Sequence, residues 1–212
     1  MFDQLLKATY ETIAMVTVSS IFATLLGLPI GLILFATKKD SIAENKIVYR
    51  ILDVVINILR SMPFVILMIV VFPLAKLIVG KKIGMVAAMV PLSVSAAPFV
   101  ARVMENCFSE IDKGKIEAAK SMGAGKFDIL KLVLKESTPG VIDGITMTVI
   151  NLIGYSAMAG ALGGGGLGDI AIRYGWNMNK TDMLMASVVI IVVIVQVIQF
   201  VGTRVSRKIN KR

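Results

Sequence analysis

Long charge-free apolar windows alternate with short charged ones along this chain. Residues 12–37, 83–101, 145–162 and 183–203 each lack Asp, Glu, Lys and Arg entirely. A fifth window, 57–79, carries only Arg60 near its start and Lys76 near its end, with Met62 to Ala75 clean between them. A hydrocarbon layer about 30 Å thick needs roughly 20 mainly apolar residues per helix. A charge at the centre of such a helix costs about 2.5–3.5 kcal/mol on insertion scales. The pattern therefore predicts five transmembrane helices at 12–37, 57–79, 83–101, 145–162 and 183–203, in one all-α membrane domain over residues 1–212. The first window is too long for the roughly 7–15-residue apolar core of a secretory signal, and no small-residue cleavage pattern follows it. It is expected to stay as an anchor.

Composition narrows the class further. Of 212 residues, 56% are hydrophobic and 17% charged, and the mean hydropathy is +0.81. Soluble domains carry roughly 25% charged residues, and one globule of this length could not hide so much apolar surface. With one cysteine and no histidine, the chain has no internal disulfide and no imidazole-based acid/base or metal chemistry. The net charge of +9 works mainly as a topology signal. Sixteen Lys/Arg fall after the first, third and fifth windows, and six (with Arg60 at a boundary) fall on the other side. The rich side is expected to be cytoplasmic, which puts the N-terminus outside and the C-terminus inside. No groove-reading module accompanies these charges, so nucleic acid is not an expected partner.

The most informative non-membrane stretch is 106–139, between the third and fourth spans. It is too long for a simple connection. Ser109 and Asp112 mark a helix start, and Gly123 marks a stop. A second short helix is predicted over 126–136, with Ile129, Leu130, Val133 and Leu134 on one face. Between these signals lies Glu117-Ala118-Ala119-Lys120-Ser121-Met122-Gly123-Ala124. Its small residues permit close approach by another chain, and Glu117 offers a hydrogen-bonding anchor. An amphipathic helix that merely steadies the bundle is the plainer alternative.

Glu117-Ala118-Ala119 followed by Gly123-Ala124 resembles the EAA loop of permease subunits in ATP-binding-cassette importers. One departure is Lys135-Glu136, where that family often has Leu-Pro; Pro139 follows shortly. Two further stretches, 59–64 (LRSMPF) and 90–93 (VPLS), resemble the methionine-uptake branch, as does 154–169 (GYSAMAGALGGGGLGD). The resemblance implies a coupling helix at Glu117, Ala118, Ala119, Gly123 and Ala124 that docks on an ATPase. It also implies a second copy of the chain, two cytoplasmic ATP-binding subunits and an external substrate-binding protein that delivers methionine. ATP and Mg would then bind the partner ATPase. This sequence contains no GxxxxGK[ST] phosphate loop and is expected to hold no cofactor or metal and to perform no covalent chemistry.

Polar residues inside the spans are costly in lipid and should face the bundle, a partner or water. Candidates are Asn57, Arg60, Ser61, Ser93, Ser95, Asn151, Tyr155, Ser156, Gln196 and Gln199. The preferred pathway wall combines Asn151, Tyr155, Ser156 and Met158 with Arg60 and Ser61, because the first four run into an outer loop of Gly163, Gly164, Gly165, Gly166, Gly168 and Asp169. Three of these glycines formally satisfy GxGxxG, but no buried strand precedes them. Pro63, Pro73, Pro91 and Pro98 are expected to interrupt the second and third helices, and Pro29 to kink the first. Thirteen methionines signal adaptable packing rather than a methionine site. An ion- or proton-coupled transporter is the alternative class. It would call for acidic groups deep in the bundle, whereas Asp53, Glu105 and Asp143 lie near the ends of the predicted spans.

Overall fold

The computed structural model describes residues 2–81 and 83–210; Lys82, Lys211 and Arg212, which enter the charge count above, lie outside the described residues. The described chain is helical almost throughout. It runs through α1 (Phe2–Thr37), α2 (Lys46–Ser61), α3 (Phe64–Val79) and α4 (Met85–Ser109), then the short α5 (Lys113–Ser121) and α6 (Lys126–Glu136). Next come α7 (Thr138–Ala159), a wide-turned segment Gly160–Gly164, α8 (Gly166–Asp169), a second wide-turned segment Ile170–Trp176, and α9 (Thr181–Ile209). Four helical runs, beginning with α1, α4, α7 and α9, are long and apolar enough to cross a membrane, and the bent pair α2–α3 makes a fifth when counted as one broken span.

That second crossing is not the single helix expected over 57–79. Asn57 to Ser61 belong to α2, and the chain turns through 108° before α3. Pro63 has no N–H to donate and forces the residue before it out of the helical region, and Met62 is extended at φ −77° and ψ 136°. The other prolines do not break their helices: Pro29 sits inside α1, Pro73 inside α3, and Pro91 and Pro98 inside α4. Both α4 prolines are buried, where flanking turns and neighbouring helices hold the axis despite the missing bond. The remaining windows locate their helices but understate them. α1 starts ten residues before position 12, α4 continues to Ser109, α7 begins at Thr138, and α9 runs from Thr181 to Ile209.

The core lies along the seam between α1 and α4. Gly27 faces Val100 and Ala97, and Gly31 faces Ala101 and Met104, so closely that a Cβ on either would sit under 3 Å from α4. This is the small-residue approach that membrane helices use where burial of apolar surface gives no advantage over lipid. Met15, Ala23, Leu92, Val100, Met104 and Phe108 continue the packing, and Leu152 and Ile153 bring in α7. α7 meets α4 with Gly140 on Cys107 and Gly144 on Val103, and α9 docks through Gly202 on Thr146 and a Ser206 hydroxyl that donates to Asp143 at 2.8 Å. One end of the bundle therefore gathers the C-terminal ends of α1, α4 and α9 with the N-terminal end of α7. It carries the basic residues.

Candidate functional site

At the basic end, α5 and α6 form a knob. Asp112 caps α5 by accepting from the Gly114 N–H at 2.8 Å, which satisfies one of the helix's free donors. The helix ends at Gly123, whose φ of +84° is a left-handed turn that glycine adopts at no steric cost. Lys115 pairs with Glu136 and ties α5 to α6. α6 starts at Lys126 and stops at Glu136, the limits its apolar spacing predicts. Ile129 and Val133 bury against the cluster that contains Phe108 and Ile111 at the foot of α4. α5 itself buries nothing completely. Glu117 and Ala118 face outward, while Ala119 and Ala124 are half-covered.

The knob also presents two side chains that sequence reasoning missed. Met122 is 83% exposed and Phe127 78%, one on each side of Gly123. A signal for Phe127 was present: it falls between Lys126 and Asp128 on the polar face of α6. Exposed aromatic and Met side chains in a charged surrounding are typical anchors of protein interfaces.

The pathway candidates divide. On α7, Asp143, Met147, Gly154 and Met158 are exposed and Asn151 half-exposed, a stripe with helical spacing along one open face. Asn151 and Met158 therefore belong to the same surface, and Asn151 lines a hollow with Met147, Ile150 and Gln199. Ser156 does not join them. It is buried and donates back to the Ile153 carbonyl at 2.7 Å, so it faces neighbouring helices. Tyr155 stacks on Phe64 with ring centroids 3.8 Å apart and planes 8° from parallel, which fixes the start of α3 against α7. Arg60 and Ser61 close α2 just before this stack and are exposed; the Ser61 hydroxyl donates to the Asn57 carbonyl at 2.7 Å.

The glycine string, expected in an outer loop, is compact. It folds back into the bundle as a tight turn. Gly164, Gly166 and Gly168 are buried, Gly163, Gly165 and Asp169 half-buried. Gly163, Gly165 and Gly166 have φ of +90°, +80° and +81°. A Cβ on Gly160 would lie 2.5 Å from the Asp169 nitrogen. The turn is pinned by three hydrogen bonds. Glu11 accepts from the Gly166 N–H at 2.8 Å, and the Thr12 hydroxyl accepts from the Leu167 N–H at 2.9 Å. The Gly163 carbonyl accepts from Gly84 at 3.0 Å. Beyond the turn, Asp169 pairs with Arg173 at 2.6 Å, and Tyr174 lies under both Arg173 and Lys180. Trp176 is exposed.

A last cluster joins α2 to α4. Arg102 donates from Nη1 to Glu105 at 2.6 Å and from Nη2 to Asp53 at 2.5 Å and Asn57 at 3.1 Å. Tyr49 donates to Glu105 at 3.2 Å. Asp53, expected just outside the second span, sits in the middle of α2 instead. Among the described residues no group of His, Cys, Asp and Glu is placed to hold a metal ion.

The profile of the family described as "Binding-protein-dependent transport system inner membrane component" matches residues 27–212. A Vibrio cholerae protein named "Probable D-methionine transport system permease protein MetI" is 45% identical over 99% of this chain and 94% of its own length. The Bacillus subtilis "Methionine import system permease protein MetP" is 45% identical over 99% of this chain and 95% of its own. A solved structure described as "Inward facing conformations of the MetNI methionine ABC transporter" superposes with a TM-score of 0.97 at 42% identity, covering 100% of this chain and 98% of that one. An amino acid ABC transporter crystallised with histidines shares the fold, with a TM-score of 0.80 at 16% identity.

Proposed function

We propose a function from one premise: this chain belongs to the binding-protein-dependent transport system inner membrane component family. It is the membrane-spanning permease subunit of an ATP-driven importer, and its cargo is methionine or a close analogue. The names of relatives that match it from end to end support that cargo. The chain sits multi-pass in the cytoplasmic membrane with its basic end in the cytosol, the N-terminus outside and the C-terminus inside. Two copies assemble around the route, two ATP-binding subunits cover the basic end, and an external binding protein delivers substrate. ATP and Mg bind the ATPase subunits, and no bond is made or broken on this chain.

The observation that carries this reading is the knob. α5 has no fully buried residue and touches the bundle through half-covered Ile116, while Glu117, Ala118, Met122 and, from α6, Phe127 are presented outward. In water an exposed Met–Phe pair is unfavourable surface, and a cleft on the ATPase removes it. Closure of the ATPase pair around ATP displaces α5. Ile129 and Val133 share one packed cluster with Phe108 and Ile111, so the displacement enters α4 and tilts the bundle between outward and inward access. The open stripe of α7, with Asn151 and Met158, faces the route or the second copy. The secondary-transporter alternative has no comparable support: Asp53 and Glu105 are both engaged by Arg102, and Asp143 by Ser206.

The test is reconstitution of this chain with its ATPase and binding protein in vesicles, followed by a screen of labelled amino acids. ATP-dependent uptake that selects methionine is expected. Uptake driven by a proton or sodium gradient without the ATPase would overturn the proposal.

A further inference from the structure

We propose that Arg102 is the positioning residue through which the displacement of the knob reaches the broken second span, a step that rests on the importer reading above. α2 has little else to hold it. Ile56 is its only fully buried residue, in a small cluster with Leu34 and Ala101, and the apolar face formed by Ile47, Ile51, Val54, Val55 and Ile58 is exposed. The break at Met62–Pro63 separates α2 from α3, so α3 cannot carry α2 as a continuous rod.

Against this weak apolar attachment stands a dense polar one. The Arg102 side chain is 16% exposed, and Glu105 is 3% exposed. One guanidinium nitrogen is shared by Asp53 and Asn57 of α2 while the other grips Glu105. Tyr49 closes the loop from α2 to the far oxygen of Glu105, and the Asn57 amide donates to Asp53 at 3.2 Å. Such bonds to ionised partners are short, directional and strong where water is scarce. A planar guanidinium that bridges two helices resists both sliding and rotation, which an apolar contact does not.

The position of the cluster gives it a role. Arg102 lies two turns before the end of α4, and the next turn carries Phe108, which packs with Ile111 and, from α6, Ile129 and Val133. The same helix thus ends on the knob and holds α2 by its charges. When α5 and α6 move, α4 moves with them through packed side chains, and α2 follows through Arg102. α3 packs on α4 directly, so α2 is the half of the broken span that depends on Arg102. Coupling of this kind needs a rigid connection at each joint, and between α2 and α4 the charged bonds supply it beside the contact of Ile56 with Ala101.

The experiment uses the complete reconstituted transporter with radiolabelled methionine. Asp53→Asn keeps the shape of the side chain and removes its charge; Arg102→Gln removes the bridge; Arg102→Lys keeps the positive charge beside Asp53 and Glu105. Membrane level, ATPase association and ATP hydrolysis are read alongside uptake. Uptake per ATP hydrolysed should fall between about two- and thirtyfold in Asp53→Asn and Arg102→Gln, the range for network positions that carry coupling, while assembly persists. Arg102→Lys should retain part of the ratio that Arg102→Gln loses.

A second readout needs no transport. With Cys107→Ser as background and labelled copies diluted by unlabelled ones, spin labels at Arg50→Cys on α2 and Glu110→Cys beyond α4 should give one narrow intrasubunit distance with or without ATP. Asp53→Asn should broaden that distance. Unchanged uptake per ATP with an unchanged distance distribution would overturn the inference. So would loss of assembly in Asp53→Asn, which would assign the cluster to folding alone. If the intact transporter shows no ATP-driven methionine uptake, the importer reading fails, and the label measurement still decides whether α2 moves with α4.

Discussion

Replacing Gly31 by alanine tests the α1–α4 seam directly. The new Cβ would stand 2.5 Å from the Ala101 carbonyl oxygen, 2.7 Å from Met104 Cβ and 3.1 Å from the Glu105 nitrogen. Ordinary carbon contacts begin near 3.5 Å, so the two helices must part locally by about 1 Å. A gap of that width forfeits about a quarter to a half of each dispersion contact along the line. Overpacking of this type costs about 1–3 kcal/mol. The alanine returns roughly 1 kcal/mol of helix propensity, and the atoms that must yield are mainly backbone, which cannot rotate away. A net loss of about 1–2 kcal/mol is expected, toward the upper end because backbone must yield, or a fall in Tm of about 2–8 °C for a chain of this size. Gly154→Ala is the matched control, because a Cβ there meets nothing within 4 Å; it should be neutral or stabilising by about 0.5–1 kcal/mol. Thermal denaturation of the purified protein in detergent reads both. A Gly31→Ala protein as stable as the Gly154→Ala one would refute a close-packed seam.

Three further outcomes are expected. Ala118→Trp or Glu117→Lys should abolish co-purification of the ATPase while leaving membrane insertion intact. Ala118 is the cleaner position, since any substitution at Gly123 also strains a left-handed turn by about 1–2 kcal/mol. Glu11→Gln replaces the charged acceptor of Gly166 with a neutral one and should weaken the turn by about 1 kcal/mol, read as faster hydrogen exchange over 160–170 with little change in α4. Asn45→Ala removes a cap that accepts from both Ile47 and Val48 at 3.1 Å and should cost about 1 kcal/mol, seen as fraying of the first turn of α2.

Much of the chain was legible because its signals are local. Charge-free windows marked four of the crossings, since a charge in hydrocarbon is costly wherever it falls in the fold. Asp112, Gly123 and the apolar spacing of 126–136 fixed the knob, because caps and short amphipathic helices answer to neighbours a few residues away. Proline reached its limit at this range. Pro63 breaks a helix and Pro91 and Pro98 do not, and only packing around α4 distinguishes them.

Which face of each crossing is covered was a different matter. α1 and α9 are apolar nearly all round, and lipid is as apolar as the inside of a bundle, so periodicity loses the contrast that separates inside from outside in water. Asn151 and Ser156 lie on the same predicted span, yet one shares an open stripe and the other turns inward. The burial of the glycine string depends on Glu11 and Thr12, 155 residues away for each bonded pair. The grip of Arg102 on Asp53 joins positions 49 apart. Sequence alone set where the chain enters and leaves the membrane and which segment projects from it. The three-dimensional arrangement alone decided which side chains meet, because those meetings are made by helices whose order in space no local rule encodes.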